Sequence, residues 1–144
     1  SLMNLAIMLD ARGVAGDTRL LDRVREHLFA SCSHDELLLS HFARAALHFA
    51  APLTLFGTLK TPRHGIDIKK GGIFPIVHGV RTLALECRIN ETSTLARLAA
   101  LAEQGRLEAD FAADLGEALR VLERALDRGE RAIEAFASQC HHGR

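Results

Sequence analysis

Lysine is scarce in this chain of 144 residues, in which only Lys60, Lys69 and Lys70 occur and arginine supplies the other basic side chains. There is also no excess of charge of either sign, because Lys plus Arg and Asp plus Glu are equal at 18 each. This balance excludes the broad basic surface that favours nucleic acid and the acidic excess of a solvated tail. We therefore expect no nucleic-acid partner, and binding sites must be sought in local features.

Long apolar runs are missing as well. No stretch approaches the length of about 18 residues that a membrane span needs, and Leu5 to Leu9 is too short and lacks the basic leader of a signal peptide. The three cysteines, Cys32, Cys87 and Cys140, are far apart and form no CxxC pair, which indicates reduced thiols rather than a disulfide framework or a zinc site. We predict a cytoplasmic protein that does not bind membranes.

The regularly spaced histidines do not have the spacing of ligands to one metal ion. His27, His34, His41 and His48 recur every seven residues. On a helix this spacing separates neighbours by about 10 Å along the axis, too far to share one ion. The sequence predicts no metal site.

Helical periodicity dominates what the sequence does contain. Asp17 is a good N-cap for a helix that ends near Ser31 and whose apolar face is formed by Leu20, Leu21, Val24 and Leu28. A second helix is predicted over residues 35–49, antiparallel to the first because the loop between them is short. Three further helices are predicted: a central one from Pro75 to about Cys87, a short one capped by Thr92 or Ser93 and ended by Gly105, and a long one from about Glu108 to Ala137 with a potential break at Gly129.

Two features predict a small amount of β-structure. The run from Leu5 to Leu9 is apolar throughout and has the length of a buried strand. Residues 53–59 and 65–68 flank a turn at Thr61–His64, which is a hairpin signal. The predicted fold class is mainly α: one domain over residues 1–144, an up-and-down bundle of four to five helices with a small β-hairpin or sheet at one end.

The junction before the central helix is the best candidate for chemistry. Pro75 suits the first helical position, and Phe74 before it has no side-chain oxygen to cap the free N–H groups of the first turn. An outside anion held by Lys69, Lys70 and the Gly71–Gly72 backbone would satisfy those groups. Alternatively, the Asp67 carboxylate would act as an internal cap and pair with a lysine.

Several segments resemble a known family. The opening Leu9-Asp10-Ala11-Arg12-Gly13-Val14-Ala15-Gly16-Asp17 takes part in the resemblance, as does Leu55-Phe56-Gly57. The main segments are Asp67-Ile68-Lys69-Lys70-Gly71-Gly72-Ile73-Phe74-Pro75-Ile76-Val77, Gly79-Val80-Arg81-Thr82-Leu83-Ala84-Leu85 and Thr92-Ser93-Thr94-Leu95-Ala96-Arg97-Leu98. With these segments the chain resembles the nucleotidyltransferase substrate-binding domain at the C-terminus of bacterial signalling proteins that also carry cyclic-nucleotide-binding-like, CBS and nucleotidyltransferase domains.

The resemblance implies a helical domain that packs against a nucleotidyltransferase fold and helps to form its substrate cleft. It implies no catalytic residue and no cofactor in this chain, with Mg²⁺ and a nucleotide bound by the parent's catalytic domain. In keeping with this, no Gly-Ser followed by an Asp-x-Asp magnesium clamp occurs here. Carried over by position, the candidates for substrate or phosphate binding are Asp67, Lys69, Lys70, Gly71, Gly72, Arg81, Thr92, Ser93 and Thr94, and those for interdomain contact are Asp10, Arg12 and Asp17.

Two functions follow as hypotheses. The first is a non-catalytic accessory domain, substrate-binding or regulatory, of a nucleotidyltransferase in signal transduction, whose partners are the preceding nucleotidyltransferase and CBS domains and a nucleotide or acceptor protein. The alternative is a protein-protein interaction or dimerisation module that binds no small molecule. Because Ser1-Leu2 precede Met3, residues 1–3 are expected to be a cloning remnant. The resemblance further implies that the chain is the C-terminal fragment of a larger protein.

Overall fold

The computed structural model describes residues 2–47 and 67–141. Six α-helices and one π-helical turn lie within these two ranges, and every regular element there is helical. The helices are α1 (Leu2–Asp10), α2 (Thr18–Cys32), α3 (Glu36–Leu47), α4 (Phe74–Glu86), α5 (Thr94–Glu103) and α6 (Ala109–His141), and the π-turn (Lys69–Ile73) leads directly into α4.

The predicted first strand is wrong, because Leu5 to Leu9 lies within α1. Ala6 and Leu9, three positions apart, are buried together, whereas Ile7 between them is 60% exposed. That pattern follows the 3.6-residue period of a helix rather than the two-residue period of a strand. A short apolar run does not distinguish a buried strand from a buried helix by its pattern alone, and leucine, methionine and alanine all favour helix.

The predicted sheet is likewise corrected, since residues 2–47 and 67–141 contain no β-strand. Most of the predicted hairpin, residues 53–59 and the turn at 61–64, falls outside the described residues. Of its second strand only Asp67 and Ile68 are described, and Ile68 has helical backbone angles, φ −60° and ψ −36°. The described part of the fold is therefore all-α.

Helices α2 and α3 begin where capping chemistry places them. Asp17 accepts a hydrogen bond from the Arg19 N–H at 3.1 Å, and Asp35 accepts one from the Leu38 N–H at 3.0 Å. The predicted apolar face of α2 is confirmed only in part: Leu21 and Leu28 are half-buried, but Leu20 and Val24 are exposed. The buried residues of the helix are Phe29 and Cys32 near its end. Burying an aromatic ring contributes more than burying either aliphatic side chain at the start of the helix.

Helix α4 is the centre of the bundle. Its Leu85 lies in one apolar cluster with α1, α2 and α3, and its Val80 and Ala84 lie in a second with α5 and α6. Helix α3 packs mainly along α4 rather than pairing with α2 as predicted. The members of the first cluster are Ala6, Leu9, Phe29, Cys32, Phe42 and Leu85, and those of the second are Val80, Ala84, Ile89, Leu98, Leu101 and Ala112.

The last two helices begin close to their predicted starts, and α6 ends at His141, beyond the predicted end near Ala137. Ser93 caps α5 by accepting a hydrogen bond from the Ala96 N–H at 3.1 Å. Gly105, with φ +66°, follows the end of α5 in the left-handed conformation that glycine favours. Helix α6 continues through Gly129 without a break.

Candidate functional site

The lysine-glycine junction is an internally capped turn. The Lys70 N–H donates to Asp67 Oδ1 at 3.0 Å, and the Lys70 ammonium lies 3.8 Å from Asp67 Oδ2. The Gly71 N–H donates to the Asp67 carbonyl at 2.8 Å, and the Phe74 N–H to the Lys69 carbonyl. Helical geometry thus starts before Pro75, and the Asp67 carboxylate caps this turn.

Two other residues of this junction, Lys69 and Gly72, lie against α6. Lys69 Nζ lies 3.2 Å from Glu130 Oε1, so each lysine of the pair faces a carboxylate. Gly72 permits the close approach of the π-turn to α6, because a Cβ at this position would lie 2.8 Å from Leu122 Cδ1. The Lys69–Gly72 stretch therefore has a structural role, and its role in anion binding stays a prediction.

A second polar group lies where α1, α4 and α5 meet. We call Asp10, Arg81 and Arg97 the Asp10 cluster. Arg97 Nη1 donates to Asp10 Oδ1 at 2.7 Å, and Arg81 donates from Nε to Asp10 Oδ2 at 3.1 Å and also from Nη2 to the same oxygen. The side chains of Arg81 and Arg97 are only 10% and 3% exposed, and that of Asp10 is 34% exposed.

Arginines also bind the backbone at the end of α1. Arg97 Nη2 donates to the Leu9 carbonyl at 3.1 Å, and Arg25 Nη2 donates to the Ala11 carbonyl. Arg97 Nε donates to the Glu91 carbonyl at 2.7 Å, which ties the loop before α5 to the same place. Helix α1 has no basic residue in its own last turn, so cations from α2 and α5 complement the negative end of its dipole.

The electrostatics of the cluster follow from this geometry. Burial raises the pKa of Asp10, but the hydrogen bonds and charges of Arg81 and Arg97 outweigh it and hold the pKa below its ordinary value. The pKa of Arg97 is lowered, first by burial and further by the charges of Arg81 and Arg25, against the opposing effect of Asp10. Burial, followed by the charge of Arg81, also lowers the pKa of His78, whose Nδ1 lies 3.2 Å from Arg81 Nη1.

The structure joins residues that the sequence assigned to separate roles. Asp10, an interdomain candidate, binds Arg81, a substrate candidate. In the same way Arg12 Nε donates to Thr92 Oγ1 at 2.7 Å.

The other sequence candidates lie away from the Asp10 cluster. Lys69 and Lys70 are distant from it, because the twelve helical positions between Lys69 and Arg81 correspond to about 18 Å along the axis. The three remaining candidates lie at the starts of helices. Asp17 caps α2 and binds Arg19, Ser93 caps α5, and Thr94 is the first residue of α5.

Three residues of this site were not among the sequence candidates: Arg25, His78 and Arg97. A signal existed for Arg97, which stands between Leu95 and Leu98 in a helix whose apolar face is buried. A charged residue in that position needs a buried partner. The local sequence singles out neither Arg25, whose acceptor is the Ala11 carbonyl 14 positions away, nor His78, which contacts Arg81 on the same helix.

Within residues 2–47 and 67–141, no group of three or more His, Cys, Asp or Glu side chains is placed to hold a metal ion. None of the helices in those ranges has both the length and the apolar character required to cross a membrane.

Comparison with known proteins identifies a family. A family model with the description "Putative nucleotidyltransferase substrate binding domain" matches residues 36–136, which are 101 of the 144 residues. Arg81 and Arg97 lie inside the matched segment, whereas Asp10 lies before it. A search of the curated proteins and a search of the solved structures found no match. On the matched segment, which includes the central helix and the buried arginines of the site, the chain belongs to this family of nucleotidyltransferase substrate-binding domains.

Proposed function

We propose that this chain is the accessory substrate-binding domain of a nucleotidyltransferase signalling protein and that a neighbouring domain carries out the transfer. In this proposal Mg²⁺ and the reacting nucleotide belong to that catalytic domain, and CBS domains are further neighbours. The family match supports assignment to the substrate-binding domains. The observation that supports a binding role is the excess of guanidinium groups around Asp10.

The charge excess suits an anionic substrate. The charges of Arg81 and Arg25 both act on the buried Arg97, and Asp10 is the carboxylate that hydrogen-bonds to Arg97 and Arg81. A buried cation without a matching anion costs free energy. A nucleotide phosphate or an acidic side chain of an acceptor protein would reduce that cost.

Isothermal titration calorimetry with a panel of nucleoside triphosphates and monophosphates tests the proposal. We expect saturable binding that weakens between 50 and 200 mM salt, because exposed charges are screened at higher ionic strength. The double variant Lys69→Ala/Lys70→Ala separates the two candidate sites: affinity like that of the wild type excludes the lysines, and lost affinity assigns binding to them. Absence of saturable binding by every nucleotide and by an acidic acceptor peptide contradicts a substrate-binding role for this chain.

A second candidate function is a docking module without a small-molecule ligand. The observation that favours it is the exposure of Ile7 in α1 and Leu20 in α2, at 60% and 61%. Size-exclusion chromatography with light scattering tests self-association. Concentration-dependent dimerisation that Ile7→Glu abolishes would support the second candidate, whereas a strict monomer at high concentration counts against dimerisation.

A further inference from the structure

An open cleft lies at the end of the bundle where α3 begins and where α4 and α5 end. Its walls come from the turn between α2 and α3, the last turn of α4 and the residues that follow α5. Its volume of about 460 Å³ is within the range of small-molecule sites. The cleft shares no residue with the Asp10 cluster or with the lysine-glycine junction, so it is a separate candidate site.

Three helices end at this cleft. Ser33, Cys87 and Gln104, which are the C-cap residues of α2, α4 and α5, all line it. The C-terminus of a helix carries about half a negative charge, because its last carbonyl groups point outwards. None of these three helices has a basic residue in its last turn to offset that charge. Three negative helix ends therefore meet at one concave surface.

The side chains of the lining add to the negative charge. Glu36 at the start of α3 and Glu86 at the end of α4 both line the cleft and are exposed. Arg106 is the one lysine or arginine of the lining, and its Nη2 donates to Glu86 Oε1 at 2.7 Å. Glu36 forms no salt bridge with any cation among the described residues. Its carboxylate is therefore available to a ligand.

The charge balance of the lining indicates the class of ligand. Glu86 and Arg106 neutralise each other, so the carboxylate of Glu36 and the three helix ends remain, against the positive N-terminus of α3. With about half a charge for each helix end, the surplus is about two negative charges. Arg88, which follows α4, does not line the cleft and does not reduce this surplus directly. A ligand with one or two positive charges matches it.

We propose that this cleft binds a small aliphatic amine, such as a diamine or polyamine, with an ammonium group at the Glu36 carboxylate. The half-buried Leu39 and Cys87 supply apolar surface for the methylene groups of the ligand. The side-chain amide of Gln104 supplies a further acceptor for an ammonium donor. The proposal does not depend on the proposed function, because the two concern different residues and ligands of opposite charge.

Calorimetry on the 144-residue chain with 1,4-diaminobutane and with spermidine as separate ligands tests this site. We expect saturable binding of both amines and none of 1,4-butanediol, which has the same carbon chain without the charges. Glu36→Gln should weaken amine binding about tenfold, as expected for loss of a charge-assisted hydrogen bond. The matched control is Glu123→Gln, which removes the same charge from an exposed position of α6 and should leave affinity within twofold of wild type.

A second variant tests the negative potential without relying on the identity of the amine. Gln104→Lys places an ammonium group at the end of α5, inside the cleft. We expect it to weaken amine binding more than tenfold. It should also raise the Tm of the free protein by about 1–4 °C, because a cation is favourable at a helix C-terminus. Gln104→Glu is the opposite change and should lower the Tm while amine binding is kept.

Cys87 reports where the amine binds, because its thiol is free and half-buried in the lining. Saturating spermidine should slow the alkylation of Cys87 by N-ethylmaleimide about fivefold or more, as measured by peptide mass spectrometry. The same concentration of 1,4-butanediol should leave the rate unchanged. Unchanged alkylation of Cys87 in the presence of bound spermidine overturns this location.

The remaining outcomes are also decisive. Absence of saturable binding of both amines by the wild-type chain overturns the proposal and leaves the proposed function standing, whereas lost nucleotide binding alone has the reverse effect. Amine binding that Glu36→Gln and Gln104→Lys both retain within twofold overturns the site. Tighter binding of a lysine-rich peptide than of spermidine overturns the small-molecule assignment. Glu36 and Gln104 are exposed, so we expect both variants to keep the helical circular-dichroism signal of the wild type.

Discussion

Arg97 donates a hydrogen bond to Asp10 at 2.7 Å across 87 positions of the chain. The contact links α1, which lies before the segment matched by the family, to α5 within it. Because the Arg97 side chain is almost completely buried, the ion pair belongs to the interior rather than to the surface. Its contribution to stability therefore depends on both partners being present.

Replacement of Asp10 by asparagine is expected to destabilise the protein. The variant keeps the size of the side chain but leaves Arg81 and Arg97 without their counter-ion. Breaking a buried pair costs about 3–5 kcal/mol, and we expect about 2 kcal/mol here because Asp10 is partly solvated. Urea denaturation at pH 7 measures the difference. Asp22→Asn, an exposed change on α2, should stay within about 0.5 kcal/mol of wild type, and an equal loss in both variants refutes a special role for Asp10.

The same pair predicts a specific acid sensitivity. The pKa of Asp10 is lower in the folded protein than its ordinary value of 3.8, so the unfolded chain takes up the proton first as the pH falls. The stabilisation is complete above pH 3.8 and is lost as the pH falls through the lower, folded-state pKa. Urea titrations at pH 7, 5, 4 and 3 should show a constant gap between wild type and Asp10→Asn down to pH 5 and a shrinking gap below pH 4. A gap that is unchanged at pH 3 would mean that the charge of Asp10 is unimportant.

The cap of α5 should be more sensitive than the residue beside it. Ser93 accepts a hydrogen bond from the Ala96 N–H, so Ser93→Ala is expected to cost about 1 kcal/mol. Thr92→Ala removes only the acceptor of the exposed Arg12 and should cost less than about 0.5 kcal/mol. Thermal denaturation of the two variants compares them directly. A larger effect at Thr92 would show that the wrong residue has been identified as the cap.

Gly72 is expected to resist substitution although it lies in a helix. Alanine normally favours a helix by about 1 kcal/mol over glycine, but here its Cβ would lie 2.8 Å from Leu122 Cδ1. We predict that Gly72→Ala destabilises the wild type and becomes neutral or stabilising in a Leu122→Ala background, which a double-mutant cycle by urea denaturation measures.

Gly116→Ala in α6 is the matched control for Gly72. A Cβ there would meet Leu95 at an ordinary 3.5 Å, so the same substitution should stabilise the protein by up to about 1 kcal/mol. Equal effects at the two glycines would exclude close packing of the π-turn on α6 as the reason for Gly72.

Local chemistry explains which helices were predictable from the sequence. Asp17 and Ser93 mark the starts of α2 and α5, and Gly105 follows the end of α5, because each acts through its own backbone neighbourhood. The apolar run of α1 was misassigned as a strand because it is too short for its period to be read. Only packing against α2 and α4 shows that Ala6 and Leu9 share one face.

The candidate site was only partly predictable. Asp10, Arg81 and Thr92 were singled out individually by the family resemblance, whereas Arg97, Arg25 and His78 were not. A charged residue on an amphipathic helix looks the same in sequence whether it is solvated or buried. The distinction depends on which helix packs over the residue, and for Arg81 and Arg97 the partners on α1 lie 71 to 88 positions away along the chain.

The sequence by itself determined the helical character of most of the described chain, the caps of α2 and α5, and membership of the nucleotidyltransferase substrate-binding family, because periodicity, capping and motif are properties of neighbouring residues. The tertiary structure decided that α1 is a helix and that Asp67 caps the π-turn. It also decided that Asp10 is the counter-ion of two buried arginines. The physical reason is that the partner of a buried charge is set by which helices pack together, and that packing maximises the apolar surface buried across distant segments.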